Sequence, residues 1–369
     1  MLSSADRITD RQLNRATLER QLLLSRASMP PLSAVKKLVG LQAQNPLDPY
    51  LALWSRLEGF DPDAFGQLIV DRALVRITVM RGTIHLLTAE DALWLRPLTQ
   101  PVLTAELSRH REFAPLLAGV DLDPILTVAR TLLSAQPLSG PKLRSALAER
   151  FPDLDPAALA YACRCLLPLV QAPPRGVWGN TRQVEVTTLD SWVGKPLDPT
   201  PSRTRLWLRY LAAFGPASVA DVSNWSRLTG WRQVVEDSRP QLVVFRSERG
   251  TELFDLPDAP RPDPDIPAPI RFLPEYDNLL LGHADRSRFG TQANSSAVRG
   301  PIKGSVLVEG TVQAIWRFGG NSKEGRSLVI EHWPLTTKLR TAVADEAAQV
   351  ARFWHQGSQV PVRMQPVGA

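Results

Sequence analysis

The sequence predicts a helix-rich α+β fold: three successive helix sets, each closed by a β-hairpin in the winged-helix layout, then a β-rich segment. Three observations carry this. Apolar residues recur at helical spacing through most of the first two thirds of the chain. Three times, the run of helices gives way to paired β-rich stretches joined by turn residues. Beyond 259–269, a stretch crowded with Pro and Asp, the pattern changes to short β-branched runs as far as His332.

In the first set, Thr9-Asp10-Arg11-Gln12 is a capping-box pattern opening a helix that carries Leu13, Ala16, Leu18 and Leu22. Pro30-Pro31 breaks the chain, and a second helix runs to about Gly40. Further helices are expected over Tyr50 to Leu57 and Pro62 to Asp71. Leu74 to Val79 and Thr83 to Leu87, split by Met80-Arg81-Gly82, form the first hairpin. The second set begins at the Thr88 cap with a long helix through Leu107, then helices over Asp121–Ala135, Ser139–Phe151 and Pro156–Leu167. Its hairpin joins Leu169–Ala172 to Val184–Thr188 through the long turn PPRGVWGNTRQ. A Pro-rich link at 195–201 leads to helices over Thr204–Phe214, from the Ser218/Asp221 cap onward, and over Gly230–Ser238. Gln241–Ser247 and Thr251–Leu256 make the third hairpin. In the last segment, strands are expected at Val306–Val308, Thr311–Phe318 and Ser327–Glu331, joined in part by Gly319-Gly320. A helix follows from Thr336 to about His355, and the last dozen residues read as a loose tail. The expected units are 1–87, 88–194, 195–258 and 259–369, of which the first three form a weak structural repeat with little internal identity.

Composition narrows the function. The chain has 369 residues, enough for two or three domains, and is 44% hydrophobic and 22% charged, ordinary values for a globular protein. Its net charge is +6, carried almost wholly by Arg, which suits bidentate phosphate contacts. Cys163 and Cys165, two residues apart on a helix, face different sides and read as buried reduced thiols. No four-ligand metal cluster is visible, so no metal or other cofactor is expected. The N-terminus lacks a signal-peptide layout and no apolar run is long enough to span a bilayer, so a cytoplasmic, nucleoid-associated protein is expected.

The stretch Leu38–Tyr50, LVGLQAQNPLDPY, holds Gln42-Ala43-Gln44. In an extended segment both glutamines point to one side, and Asn45-Pro46 stops any helix. An amide both donates and accepts, so it can orient a water without being a strong base. Alone, Gln-x-Gln is a weak signal, because capping or surface glutamines give the same pattern. It does not stand alone. With its Leu41 and Asn45-Pro46 flanks it is followed, in order, by Arg81-Gly82-Thr83-Ile84-His85-Leu86 and by PEYDNLLLGH from Pro274 to His283, with Asp285-Arg286-Ser287-Arg288. In this combination, over almost its whole length, the chain resembles the AlkZ-like DNA glycosylases. The Gln at 44, where a related branch has Asp, resembles the AlkZ branch. The resemblance implies three tandem winged helices and a small β-barrel forming a concave surface for duplex DNA. It also implies removal of N7-alkylated guanine and unhooking of interstrand crosslinks, a self-resistance role in producers of bifunctional alkylating natural products.

That chemistry suits two amides. Alkylation at N7 makes guanine a cationic leaving group, and the remaining task is to place a water and stabilise an oxocarbenium-like sugar. Gln42 and Gln44 are the expected catalytic residues. No Lys is placed for Schiff-base chemistry, so a monofunctional enzyme acting as a monomer is expected. Because a crosslinked guanine is tied to the opposite strand, the base is expected to stay largely in the duplex. Arg175, Trp178 and Arg182 at the second hairpin tip are candidates for groove insertion, and Arg81, Arg286 and Arg288 for phosphate contact. His283, Asp277 and Asp285 are candidate supports, whereas His85 on its apolar strand reads as structural. The competing expectations are a non-catalytic winged-helix regulator, since that fold more often binds DNA than cuts it, and a lesion-sequestering protein.

Overall fold

The computed structural model describes residues 7–180, 182–295, 298, 303–319, 326–358 and 360–368. The expected Gly319-Gly320 join and the middle of the second hairpin turn therefore fall partly outside the described residues.

The first set comprises β1 (Arg7–Ile8), α1 (Asp10–Arg20), α2 (Pro31–Lys37), β2 (Leu41–Gln42), α3 (Asp48–Trp54), α4 (Pro62–Val70), β3 (Leu74–Thr78) and β4 (Ile84–Thr88). Thr9 and Gln12 form the reciprocal capping box at the start of α1. The long helix expected after Thr88 is two: α5 (Ala89–Leu98) and α6 (Gln100–Arg109). Pro97 and Pro101 flank the break, each removing a helical hydrogen bond.

Next come α7 (Phe113–Leu116), α8 (Asp123–Ala135), β5 (Leu138–Ser139), α9 (Gly140–Arg150), α10 (Pro156–Leu166), β6 (Leu169–Ala172), β7 (Glu185–Thr188) and α11 (Leu189–Val193). Cys163 and Cys165 on α10 are buried free thiols in separate apolar clusters. The third set is α12 (Arg203–Phe214), α13 (Val219–Ser226), α14 (Trp231–Ser238), β8 (Val243–Ser247) and β9 (Glu252–Asp255). The chain ends with β10 (Arg271–Leu273), α15 (Asn278–Leu281), β11 (Gly304–Val308), β12 (Thr311–Gly319), β13 (Ser327–His332), α16 (Thr337–Trp354) and β14 (Val362–Pro366).

Three sheets organise these elements. The first is six-stranded, β2-β4-β3-β6-β7-β5, so the first and second hairpins share one sheet through antiparallel pairing of Arg76 with Gln171 and Ile77 with Val170. The second is β1-β8-β9, in which the N-terminal strand runs parallel to the third hairpin. The third is β10-β11-β12-β13-β14. It corrects two expectations. Among the described residues it is an open sheet, not a closed barrel, because α16 covers the face that closure would bury, setting Val343, Ala347 and Val350 against Phe272 and Ile330. And the tail is not loose, since Val362–Pro366 pairs in parallel with β13.

The last segment is bound to the first by buried charge. Arg56 grips Asp277 with two hydrogen bonds of 2.7 and 2.9 Å, both side chains fully buried. Arg20 and Asp255 make an equivalent pair between α1 and β9. Among the described residues no helix is long and apolar enough to cross a membrane.

Candidate active site

The Gln42–Gln44 turn is fixed by its backbone. Gly40 has φ +87°, and a Cβ there would come within 2.2 Å of Leu87, so only glycine lets β2 lie this close to β4. Leu41 and Gln42 pair with Leu86 and His85. The Ala43 amide donates to the Ile84 carbonyl at 2.8 Å, and Arg76 donates to the Ala43 carbonyl at 2.7 Å. From the C-terminal segment, Asn278 donates to the Gly40 carbonyl at 2.6 Å, and its amide oxygen lies 3.4 Å from the Gln42 nitrogen.

The two glutamines then differ. Gln42 is buried, and its side-chain oxygen accepts a 2.6 Å hydrogen bond from Arg81 Nη2. Gln44 is exposed, with its oxygen 3.4 Å from the Ile84 nitrogen. Since arginine only donates, Arg81 sets the orientation of the Gln42 amide: oxygen towards the guanidinium, NH2 away. Gln42 is thereby polarised as a donor, and Gln44 is the exposed amide of the two, the one that solvent water reaches.

Arg81 is aimed by its turn. Met80 to Thr83 closes with a Thr83 N–H to Met80 carbonyl bond, and Arg81 and Gly82 both have positive φ, the type I′ geometry that matches strand twist. The guanidinium also donates to the Trp225 carbonyl at 2.7 Å and lies 3.3 Å from His85 Nε2. His85 Nδ1–H donates to the Thr83 carbonyl at 3.0 Å, leaving Nε2 to accept from Arg81. Burial, then the Arg81 charge, pushes the His85 pKa down to about 3, so the ring is neutral at physiological pH. Burial and the nearby Arg227 and Arg286 lower the Arg81 pKa to about 10, and it stays charged. Arg81 also lines a cleft of about 880 Å³ together with Arg109, Arg111, Arg203 and Arg227. The cleft's carboxylate, Glu106, is occupied by Tyr161 at 2.8 Å and Arg164 at 2.7 Å.

Other expected site residues lie elsewhere. Arg288 is buried and donates to the Thr17 hydroxyl and the Pro216 carbonyl, so it braces α1 and cannot meet a phosphate. His283 is buried, donates from Nε2 to the Phe214 carbonyl, and sits beside Asp221 and Arg288. Asp277 is consumed by Arg56 and by capping α15. Asp285 is exposed and holds its own turn through the Ser287 amide and hydroxyl. Arg286 is the exception: half-buried in a small pocket with Glu275, Tyr276 and Lys303, it stays close enough to Arg81 for its charge to lower the Arg81 pKa.

The tryptophan of the second hairpin turn packs against the core. Trp178 packs against Tyr50, Phe353 and Trp354, and the Tyr50 hydroxyl donates to the Gly176 carbonyl. The apolar face of Trp178 is spent inside the protein, which removes it as a groove wedge. Arg175 donates to the Arg182 carbonyl within the turn, and Arg182 is exposed.

Sequence reasoning passed over Asp48, at the start of α3 just after the Gln turn. It is buried, and its Oδ2 has no hydrogen-bond partner among the described residues. Burial, then Glu275 and Asp277, raises its pKa to about 8. An acid whose pKa is higher when folded stabilises the fold below its unfolded pKa, near 4, and loses that contribution as pH rises towards 8. Asp48→Asn is therefore expected to match the wild type in unfolding free energy near pH 4 and exceed it near pH 8. Urea melts at both pH values check this, and an equal difference at both would contradict it.

Comparison with known proteins decides what this site belongs to. The family model described as DNA glycosylase AlkZ-like matches residues 35–353. The chain belongs to the AlkZ-like DNA glycosylase family. The match embraces the Gln turn, the Arg81 hairpin and the Asn278 loop in one unit. The glycosylase is 26% identical to a Streptomyces sahachiroi protein named interstrand DNA cross-link repair glycosylase, over 96% of this chain and 98% of that one. Its fold is that of the solved Streptomyces sahachiroi DNA glycosylase AlkZ, with TM-score 0.79 and 23% identity over 97% of this chain and 100% of that one. Among the described residues of the glycosylase, no group of three His, Cys, Asp or Glu side chains is placed to hold a metal ion.

Proposed function

We propose that the glycosylase hydrolyses the N-glycosidic bond of N7-alkylated guanine in duplex DNA and unhooks interstrand crosslinks, leaving an abasic site. The observation that carries this reading is the Arg81–Gln42 hydrogen bond of 2.6 Å beside exposed Gln44 on a pinned backbone. Neither amide can take a proton as a carboxylate would, so the site suits a leaving group that already carries charge. Gln44 holds the water, and the polarised Gln42 NH2 steadies the lesion or its sugar. The name of the Streptomyces sahachiroi relative supports crosslinks as substrates. In a cell that makes a bifunctional alkylating product, this activity amounts to self-resistance.

In this reading a single chain presents three winged helices, within 1–87, 88–194 and 195–258, to one duplex, with 259–369 locking the Gln turn through Asn278. The backbone lies along the arginine cleft, and Arg81 at its floor couples phosphate to Gln42. Arg175, Arg182 and Arg286 add charge at the edges. Replacing Arg81 by Met is expected to weaken duplex binding, to lower the slope of log affinity against log salt by about 0.9, and to slow excision. An unchanged salt slope would remove Arg81 from the phosphate contacts.

The reading is tested by single-turnover base release from duplexes carrying N7-methylguanine or an N7-guanine crosslink. Binding without release from either would leave a lesion-binding protein as the better account. Borohydride trapping of the protein on DNA would contradict the monofunctional mechanism.

A further inference from the structure

Among the described residues, Val70, Leu116, Ile266 and Tyr276 are the large apolar side chains left exposed, and of these only Tyr276 is aromatic. Its backbone is held where a bulky side chain rarely goes. Tyr276 has φ +60°, the left-handed region that favours glycine. Anchors on both sides impose it. Leu273 pairs with Ser305 in the third sheet, and its carbonyl accepts from Trp316 Nε1 at 2.9 Å. Asp277 is clamped by Arg56, and Asn278 donates to the Gly40 carbonyl at 2.6 Å. Strain of this kind persists only where the surroundings over-determine it, and such positions cluster at functional sites. Glycine would make the same turn with less strain, so the turn does not account for the ring.

Tyr276 stands beside the Gln turn. Asn278, two residues on, has its amide oxygen 3.4 Å from the Gln42 nitrogen. Asp48, four residues after Gln44, is close enough to act electrostatically on the Tyr276 hydroxyl. Arg286, which shares a small pocket with Tyr276, is close enough to act on Arg81. The hydroxyl faces the Glu275 side chain. Lys303 in that pocket is held by Glu331 at 3.0 Å.

An alkyl group on N7 puts a positive charge on the five-membered ring of guanine, the ring that also carries the glycosidic bond. A side chain placed at that bond therefore meets the charge. Aromatic faces attract cations, as in the recognition of quaternary ammonium groups. We propose that Tyr276 contacts the alkylated guanine, its ring lying against the cationic five-membered ring, and that it selects charged lesions over normal guanine. This assignment rests on the glycosylase reading and deepens it: Gln42 and Gln44 serve the bond that breaks, and Tyr276 serves the charge beside it.

The test compares the affinity of the full chain for two duplexes of one sequence. One has guanine at its centre, and the other has 2′-fluoro-2′-deoxy-7-methylguanosine, whose fluorine protects the glycosidic bond. The wild type is expected to prefer the methylated duplex about tenfold. Tyr276→Leu, which loses the aromatic face, is expected to bring the ratio near one, and Tyr276→Phe to keep most of it. General weakening of binding cancels in the ratio, so a merely structural role would not move it. Both variants ask of the backbone only what tyrosine already does. Equal binding of the two duplexes by the wild type, or discrimination kept by Tyr276→Leu, would overturn the proposal. So would a Tyr276→Phe variant that discriminates no better than Tyr276→Leu. Base release by the wild type from an ordinary 7-methylguanine duplex is followed alongside. Release together with unaltered discrimination in Tyr276→Leu would remove Tyr276 alone and leave the glycosylase reading standing. Discrimination that depends on the ring, without release, would keep Tyr276 as the reader of a lesion-binding protein and remove the glycosylase reading.

Discussion

Replacing Gln42 and Gln44 together by alanine is expected to slow single-turnover base release by about 10²-fold or more, while affinity for duplex DNA stays close to wild type. The magnitude is that of removing a preorganised polar group aimed at developing charge. The two single variants should differ in kind. Gln44→Ala removes an exposed amide and leaves the Arg81 network intact, so its loss should fall wholly on excision. Gln42→Ala removes the acceptor of a 2.6 Å hydrogen bond and leaves Arg81 with the Trp225 carbonyl and neutral His85. Its effect on excision should therefore come through a loosened Arg81 as well as through the lost amide, with affinity again close to wild type. Undiminished release by the double variant would move catalysis away from this turn.

Asp277→Ala is expected to destabilise the fold by about 3–5 kcal/mol, the cost of stranding one partner of a buried ion pair. The pair is bidentate and neither side chain is exposed, so water cannot resolvate Arg56 without opening the interface. Asp277 also caps α15, whose Asn278 grips the Gly40 carbonyl. The damage should therefore reach the Gln turn. Denaturant melts read the stability loss, and residual excision by folded protein well below the transition reads the turn. A loss under about 1 kcal/mol, the range of an exposed pair, would mean that the interface is wetter than the structure has it. The contrast with Asp285 is instructive. It lies eight positions on in the same motif, yet it is exposed and, besides its own turn, makes only a 3.5 Å solvent-exposed contact with Arg249, so Asp285→Ala should leave stability nearly unchanged.

Much of the fold was legible in the sequence because its signals are local. The Thr9–Gln12 capping box, the Ser218–Asp221 cap, the Arg81-Gly82 turn and the strands around Val306, Thr311 and Ser327 depend on neighbours within a few residues. The motifs likewise placed the chain in its family before any distance was known. What was not legible depended on contacts between distant segments. The tail pairs with β13 because an open sheet edge lay beside it, and the barrel does not close because α16 covers that face.

The same division runs through the candidate site. Sequence alone determined that Gln42, Gln44 and Arg81 belong to one motif set, because their spacing and order are written in the chain. Only the tertiary structure decided their roles. It buried Gln42 against Arg81 and left Gln44 open. It turned Trp178 inward onto Phe353, and sealed Arg288 and His283 within the core. A side chain's type and position in sequence set what it can do, but its burial and hydrogen-bond partners set what it does, and these come from segments up to hundreds of residues away. Asp48, Arg76 and Gln171 carry no motif at all. Among the described residues their buried atoms lack partners because segments distant in the chain close over them, which no reading along the chain could find.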